Sequence, residues 1–292
     1  MQLFRALAIL MALGISQAAM ALEIDPLWDF NKPELSEQRF CAALFTARGD
    51  DALILQTQIA RSYGLRRNFT QAQAMLKNIE SQVQGAGPEA RVRYTLELGR
   101  TLASAVHPPE SQTPETREQA RAAYLRAFDL AKTSGLDALA IDALHMMAFV
   151  DVSPIEQLKW GSEALAIVES STQPAAKKWE ASLRNNVGYA LHQLGRYEDA
   201  LTEFNKAVVL RRNGADAEAT RVAYWMVART LRVLDRLDEA LEIQLRLERE
   251  SEAAGAPDPY VFEELEVIYR AKKEPGRAAA YSDRKAALSK QR

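Results

Sequence analysis

Eight residues, Leu194-Gly195-Arg196-Tyr197-Glu198-Asp199-Ala200-Leu201, return forty positions later as Leu234-Asp235-Arg236-Leu237-Asp238-Glu239-Ala240-Leu241. A unit recurring at this period is a supersecondary element that cannot bury its own apolar face. It must stack on copies of itself, so the fold is an array.

The unit can be read on a grid with Ala181 as position 1. Val187 and Gly188 then fall at positions 7 and 8, Leu191 at 11, Gly195 at 15 and Tyr197 at 17. Ala200 falls at 20, Phe204 at 24 and Ala207 at 27. Gly188 and Ala200 carry little side chain, so two antiparallel helices can approach closely there. The larger residues fill the space around that contact. The grid resembles the tetratricopeptide repeat, with Arg184 in place of the family's Trp at position 4 and Arg212 in place of its Pro at 32.

Other parts of the chain fit the same grid. Ala60, Tyr63, Phe69, Ala72 and Leu76 occupy positions 8, 11, 17, 20 and 24 of an upstream unit. Ala228, Leu231 and Ala240 occupy 8, 11 and 20 downstream. Gly99 and Leu102, then Ala120, Tyr124 and Ala127, make a second pair interrupted by a Pro-rich insert around His107–Pro114. A third pair runs from Leu136 to about Ser170 around Ala164, and Ser153-Pro154 reads as N-cap and N1 of its second helix. The last pair, Tyr260–Tyr269 and Gly276–Leu288, has Ala278 at position 20 but Glu266 where a small residue is usual, which suits a cap. The expected fold is all-α, a tetratricopeptide-like α-solenoid of about six antiparallel helix pairs with an extra N-terminal helix. A right-handed superhelix is what the resemblance implies.

Residues 51–292 form the expected solenoid domain, punctuated by Gly85-Ala86-Gly87-Pro88, Ser134-Gly135, Asn213-Gly214 and Gly255-Ala256-Pro257. Residues 22–50 read as an extension with a capping helix, Glu34 to Ala47, closed by Gly49 as C′. Trp28 and Phe30 are expected over the end of that helix. Residues 1–21 read as a secretory signal peptide. Arg5 precedes an apolar run from Ala6 to Ile15, and Ala19-Met20-Ala21 is a small-x-small cleavage site. The apolar run is short for a membrane span. A periplasmic or secreted location follows, with no membrane insertion after cleavage.

Cys41 is the only cysteine, so the chain has no internal disulfide. Set between Phe40 and Ala42, it reads as a small buried apolar residue rather than a reactive thiol, with no His or Lys beside it to lower its pKa. The formal net charge of −2 gives no sign of nucleic-acid binding.

In tetratricopeptide proteins the first helix of each pair lines a concave groove, and the resemblance implies that positions 2, 5, 9, 12 and 13 face a ligand. Those positions hold Thr57 and Arg61, then Arg93 and Arg100 with Glu97 beside them at position 6. Further along they hold Asn185, Tyr189, His192 and Gln193, with Asn186 at position 6. Trp225, Arg229 and Arg232 follow, spaced as one stripe on a helix face, then Tyr260, Glu263 and Arg270. The functional reading is a groove for a partner segment, with aromatic anchors and Arg forks that favour acidic groups. The competing reading for each residue is a solvated or interhelical pair, such as Glu263 with Arg229.

The expected function is a non-catalytic protein–protein interaction scaffold of the cell envelope, without cofactor or metal, centred on the fourth and fifth repeats. Asp142 and His145, three apart on one helix, are the one pair that invites an enzymatic or metal-dependent alternative. Chemistry there needs a third group, for which Asp151 is the nearest candidate. A self-assembling structural solenoid is the second alternative. His107, before Pro108-Pro109, is expected in solvent.

Overall fold

The computed structural model describes residues 22–212, 214 and 216–290, and these are helical with no strand among them. The expected signal peptide lies outside the described residues, as does Asn213 of the expected Asn213-Gly214 break. A lone helix, α1 (Pro33–Leu44), is followed by six pairs. They are α2 (Gly49–Leu65) with α3 (Phe69–Gln84), α4 (Pro88–Arg100) with α5 (Pro114–Thr133), and α6 (Asp137–Met147) with α7 (Pro154–Ser170). A one-turn helix, α8 (Pro174–Lys177), intervenes. Then come α9 (Glu180–Gln193) with α10 (Tyr197–Arg212), α11 (Ala217–Val233) with α12 (Leu237–Ala253), and α13 (Pro259–Ala271) with α14 (Pro275–Ser289). The expected all-α solenoid is what the chain forms. No helix among the described residues is long and apolar enough to cross a membrane.

Sequence chemistry sets many of the boundaries. Ser153 caps α7 by accepting from the Glu156 amide, with Pro154 at N1 as expected. Thr113, Asp216 and Asp258 cap α5, α11 and α13 in the same way. The turn inside four of the pairs is one repeated device. The position-16 amide donates to the position-11 carbonyl at 2.9 Å in Asn68→Tyr63, Arg196→Leu191, Arg236→Leu231 and Glu274→Tyr269. The preceding residue is left-handed each time: Arg67 (φ 61°), Gly195 (φ 75°), Asp235 (φ 58°) and Lys273 (φ 62°). This is the six-to-one bond that ends a helix at a left-handed residue. Only one of the four is the glycine that such backbone favours.

Within the pairs the small residues do what the grid demands. A Cβ built on Gly99 would stand 2.5 Å from the Tyr124 ring, and Ala60, Ala120, Ala200, Ala228 and Ala240 are buried at equivalent contacts. Successive first helices touch, α2 with α4, α4 with α6, α9 with α11 and α11 with α13. The second helices pack chiefly on their own partner and on the next first helix. The stack therefore curves with its first helices on the inside.

The N-terminal segment departs from the expected cap. Trp28 does pack edge-on against Phe40 of α1, at 4.9 Å between centroids, with Phe30 stacked on it at 4.7 Å. The same segment continues across the inner side. Trp28 Nε1 donates to Gln58 Oε1 of α2 at 3.2 Å, and Asp25 pairs with Lys178, just past α8, at 2.8 Å. Gly49 is not the C′ residue of α1. That helix ends at Leu44, and Gly49 (φ 57°) opens α2.

Two expectations about single side chains are overturned. Cys41 is exposed, because α1 turns Phe40 and Ser36 inward and Cys41 outward. Partial desolvation and the neighbouring Glu37 raise its thiol pKa, which keeps it protonated. His107 is buried rather than solvated. The insert folds back so that its Nδ1 meets Ser104 Oγ at 2.9 Å, its Nε2 meets the Thr101 carbonyl at 3.2 Å and its ring stacks on Phe69 at 3.8 Å.

Candidate functional site

The inner face carries two distinct surfaces. The first is a half-open pocket of about 210 Å³ between α2, α4 and α6. Its polar side holds Arg61, Glu97, Arg100, Asp142 and His145, and Met146, Phe149 and Trp179 form much of its apolar wall. Arg100 is committed inside it, to Glu97 Oε1 at 2.5 Å and to Asp142 of the next pair. Burial opposes the Arg100 charge, but Asp142 and Glu97 outweigh burial and hold its pKa above the ordinary value. Asp142 shows the converse. Burial pushes it up, Arg100 and Arg61 pull it down further, and its carboxyl stays below the usual range. Arg61 lies over the Trp28 and Phe30 rings at 5.5 and 5.4 Å, and its nearest carboxylate oxygen is Glu97 Oε1 at 4.0 Å.

Asp142 and His145 thus line the inner face and brace both neighbours. Asp142 reaches back to Arg100, while His145 Nδ1 reaches forward to Asn186 Nδ2 at 3.4 Å. Burial, the largest influence on His145, lowers its pKa despite the adjacent Asp142. Asp151 is no third member of a site. It accepts from Arg121 Nε at 3.3 Å and from Trp160 Nε1 at 2.9 Å. Among the described residues no three His, Cys, Asp or Glu side chains gather as metal ligands do.

The second surface runs over α9, α11 and α13. Tyr189 and Tyr260 are exposed on it. Asn185 Oδ1 and His192 Nε2 are buried and have no hydrogen-bond partner among the described residues. His192 packs edge-on against Tyr197, and burial first, then Arg229 and Arg232, lowers its pKa. Trp225 donates to the Tyr260 carbonyl at 3.2 Å and carries Arg229 over its ring at 5.4 Å. Trp225, Val222 and Tyr260 also line a groove of about 610 Å³ with Leu247 and Ser251 of α12, Pro257 and Pro259.

The pairing of charges on this surface differs from the expected one. Glu264, not Glu263, meets the arginines. It accepts from Arg232 Nε at 2.7 Å and from its Nη2 at 3.1 Å, and lies 4.0 Å from Arg229. Glu263 points outward towards Lys285 at 3.6 Å. The Arg100 and Arg232 forks, expected to be open to a ligand, are therefore occupied within the protein. Thr57 is not a groove residue either. It is buried, with Oγ1 bonded to the Ile54 carbonyl. Arg93 pairs along its own helix with Glu89, and Arg270 with Glu266.

Several wall residues escaped the sequence reading. Trp179 precedes position 1 of its repeat, and Met146 and Phe149 sit where α6 gives way to irregular chain, so the grid does not address them. Trp28 and Phe30 were visible as aromatics, but nothing local places them against Arg61.

Comparisons with known proteins agree with this architecture. Residues 179–248 match the tetratricopeptide repeat family. No curated protein sequence matches the chain significantly. Among solved structures, the chain is similar to a signal-transduction ATPase with numerous domains that has a tetratricopeptide repeat sensor, from Pyrococcus horikoshii. The TM-score is 0.67 at 14% identity, over 87% of this chain and 39% of that one, so the chain spans about two-fifths of that protein's length. It is also similar to a Rap protein complexed with Competence and Sporulation Factor, with a TM-score of 0.55 at 15% identity over 90% of this chain and 72% of that one. The repeated turn and the small-residue helix contacts accompany that match: residues 179–248 carry tetratricopeptide repeats, and the chain has the all-α solenoid fold of such repeats.

Proposed function

We propose that the chain is a non-catalytic protein-interaction module that captures a partner segment on the inner face of α9, α11 and α13. The carrying observation is the juxtaposition of exposed Tyr189 and Tyr260 with the apolar groove at Val222 and Trp225. Exposed aromatics beside an apolar groove, on a frame whose own charges are paired, make a surface for aromatic and aliphatic anchors. Arg229, held 4.0 Å from Glu264, is the arginine that serves an acidic residue of the segment. The Rap protein, a fold relative, is complexed with a factor of its own, which supports an interaction role by analogy of fold. The envelope setting belongs to the same proposal and rests on the leader-like Met1–Ala21.

The enzymatic alternative gains no support, because Asp142 is held by Arg100 and His145 by Asn186. The test is a quantitative pull-down from envelope extracts with wild type and a Tyr189→Ala, Tyr260→Ala double variant. Both side chains are exposed, so the variant keeps the fold. A protein retained by wild type and lost by the variant upholds the reading. Equal retention by both, or none by either, rejects it.

A further inference from the structure

The half-open pocket of α2, α4 and α6 has no part in that reading, and its chemistry is more specific than a peptide groove. The Glu97 side chain is only 3% exposed. Its Oε1 is taken by Arg100, while Oε2, also buried, has no hydrogen-bond partner among the described residues. Arg61, whose Nη1 lies 4.0 Å from Glu97 Oε1, has a buried Nε that is likewise unpartnered among them. One is a charged acceptor and the other a charged donor. Leaving either unmet costs far more than an ordinary surface contact.

Arg61, Arg100, Glu97 and Asp142 sum to zero charge, so the polar wall of the pocket offers a ligand of net charge no net counter-charge. A zwitterion needs none. Its ammonium group meets Glu97 Oε2, and its carboxylate meets Arg61 Nε, both as charge-assisted hydrogen bonds. The remaining wall is apolar, with Leu65, Val106, Met146, Phe149 and Trp179 around it. The pocket, at about 210 Å³, is smaller than the ~300–1,000 Å³ of sites for drug-sized ligands. We propose that this pocket binds a free α-amino acid with an apolar side chain, its two charged ends on Glu97 and Arg61 and its side chain against Met146, Phe149 and Trp179.

The test is isothermal titration and thermal shift of the purified protein with L-leucine, L-methionine and L-phenylalanine. At least one binds with one-to-one stoichiometry and raises the melting temperature. Glu97→Gln weakens that binding roughly tenfold or more, as expected for a lost charged hydrogen bond. Arg100 keeps Asp142 in that variant, so the fold survives. Ala105→Trp is the control that does not touch the charges. Ala105 is exposed at the pocket, and a bulky ring there blocks entry while leaving the unliganded melting temperature unchanged. Failure of all three amino acids to bind at millimolar concentration overturns the proposal. So does binding indifferent to both substitutions. Equal binding of 4-methylpentanoate, isopentylamine or N-acetyl-L-leucine overturns it too, because each lacks one of the two charged ends.

Discussion

Gly188 of α9 faces the Phe204 ring of α10 so closely that a Cβ added to the glycine would stand 2.7 Å from Cε1. Gly99 and Tyr124 repeat the relationship two pairs earlier, at positions 8 and 24 of the second pair. The contact is the axle of these two helix pairs. Gly188→Leu therefore overpacks a site with no room to yield, and should cost ~1–3 kcal/mol or more. Thermal denaturation of the variant, with helicity followed by circular dichroism, checks it. An unchanged midpoint would show that the two helices meet elsewhere.

Position 24 of the fifth pair is Gln244, where the first, second and fourth pairs place Leu76, Tyr124 and Phe204. Gln244 is fully buried, and both its amide atoms lack a partner among the described residues. Gln244→Leu removes that unmet polarity at similar volume and should stabilise the protein by ~1 kcal/mol or more. The denaturant midpoint should rise with an unchanged slope.

The left-handed turn residues make a matched set. Asp235→Gly and Lys273→Gly relieve the side-chain clash of that backbone region and should each stabilise by up to ~1 kcal/mol. Gly195→Val introduces the clash at the same position and should destabilise by a similar or larger amount. Opposite signs at equivalent positions, read from urea melts, are the outcome to look for.

All three histidines have depressed pKa values in the folded chain. Burial is the leading cause for His107, His145 and His192 alike. The unfolded chain takes up protons near pH ~6.5 while the folded one does not. Stability is then fully present above that pH and is lost as the pH falls towards the folded values. Asp142, whose pKa is depressed below the carboxylate range, adds a second loss in more acid solution as its pairing with Arg100 fails. The melting temperature should fall between pH 7.5 and 5.5, and His192→Gln should flatten part of that fall.

The residues visible to sequence reasoning are those whose role is local. Gly188, Ala200 and Phe204 announce the helix pair because their sizes recur at fixed spacing, and Gly195 announces its turn because its backbone freedom is needed there. Arg67, Asp235 and Lys273 adopt the same turn but carry no such sign, since flanking bonds impose it. The site was less legible. Arg100 and Asn186 were each placed on the inner face and the register of His145 stayed open, but which charge meets which is decided between helices. Asp142 lies 42 residues beyond Arg100, and Glu264, one position from the residue expected, takes Arg232. A one-residue shift turns a helical side chain by about 100°, enough to exchange solvent for a neighbour.

The Asp25–Lys178 contact spans 153 residues in a molecule whose other ties are mostly between adjacent helices. An array of repeats behaves mechanically as a spring, extending and twisting by small slips between neighbours. The crossing N-terminal segment and this ion pair close a loop over the first three pairs. The tie ends in an exposed ion pair that ionic strength weakens, so salt loosens the N-terminal half of the spring more than the other.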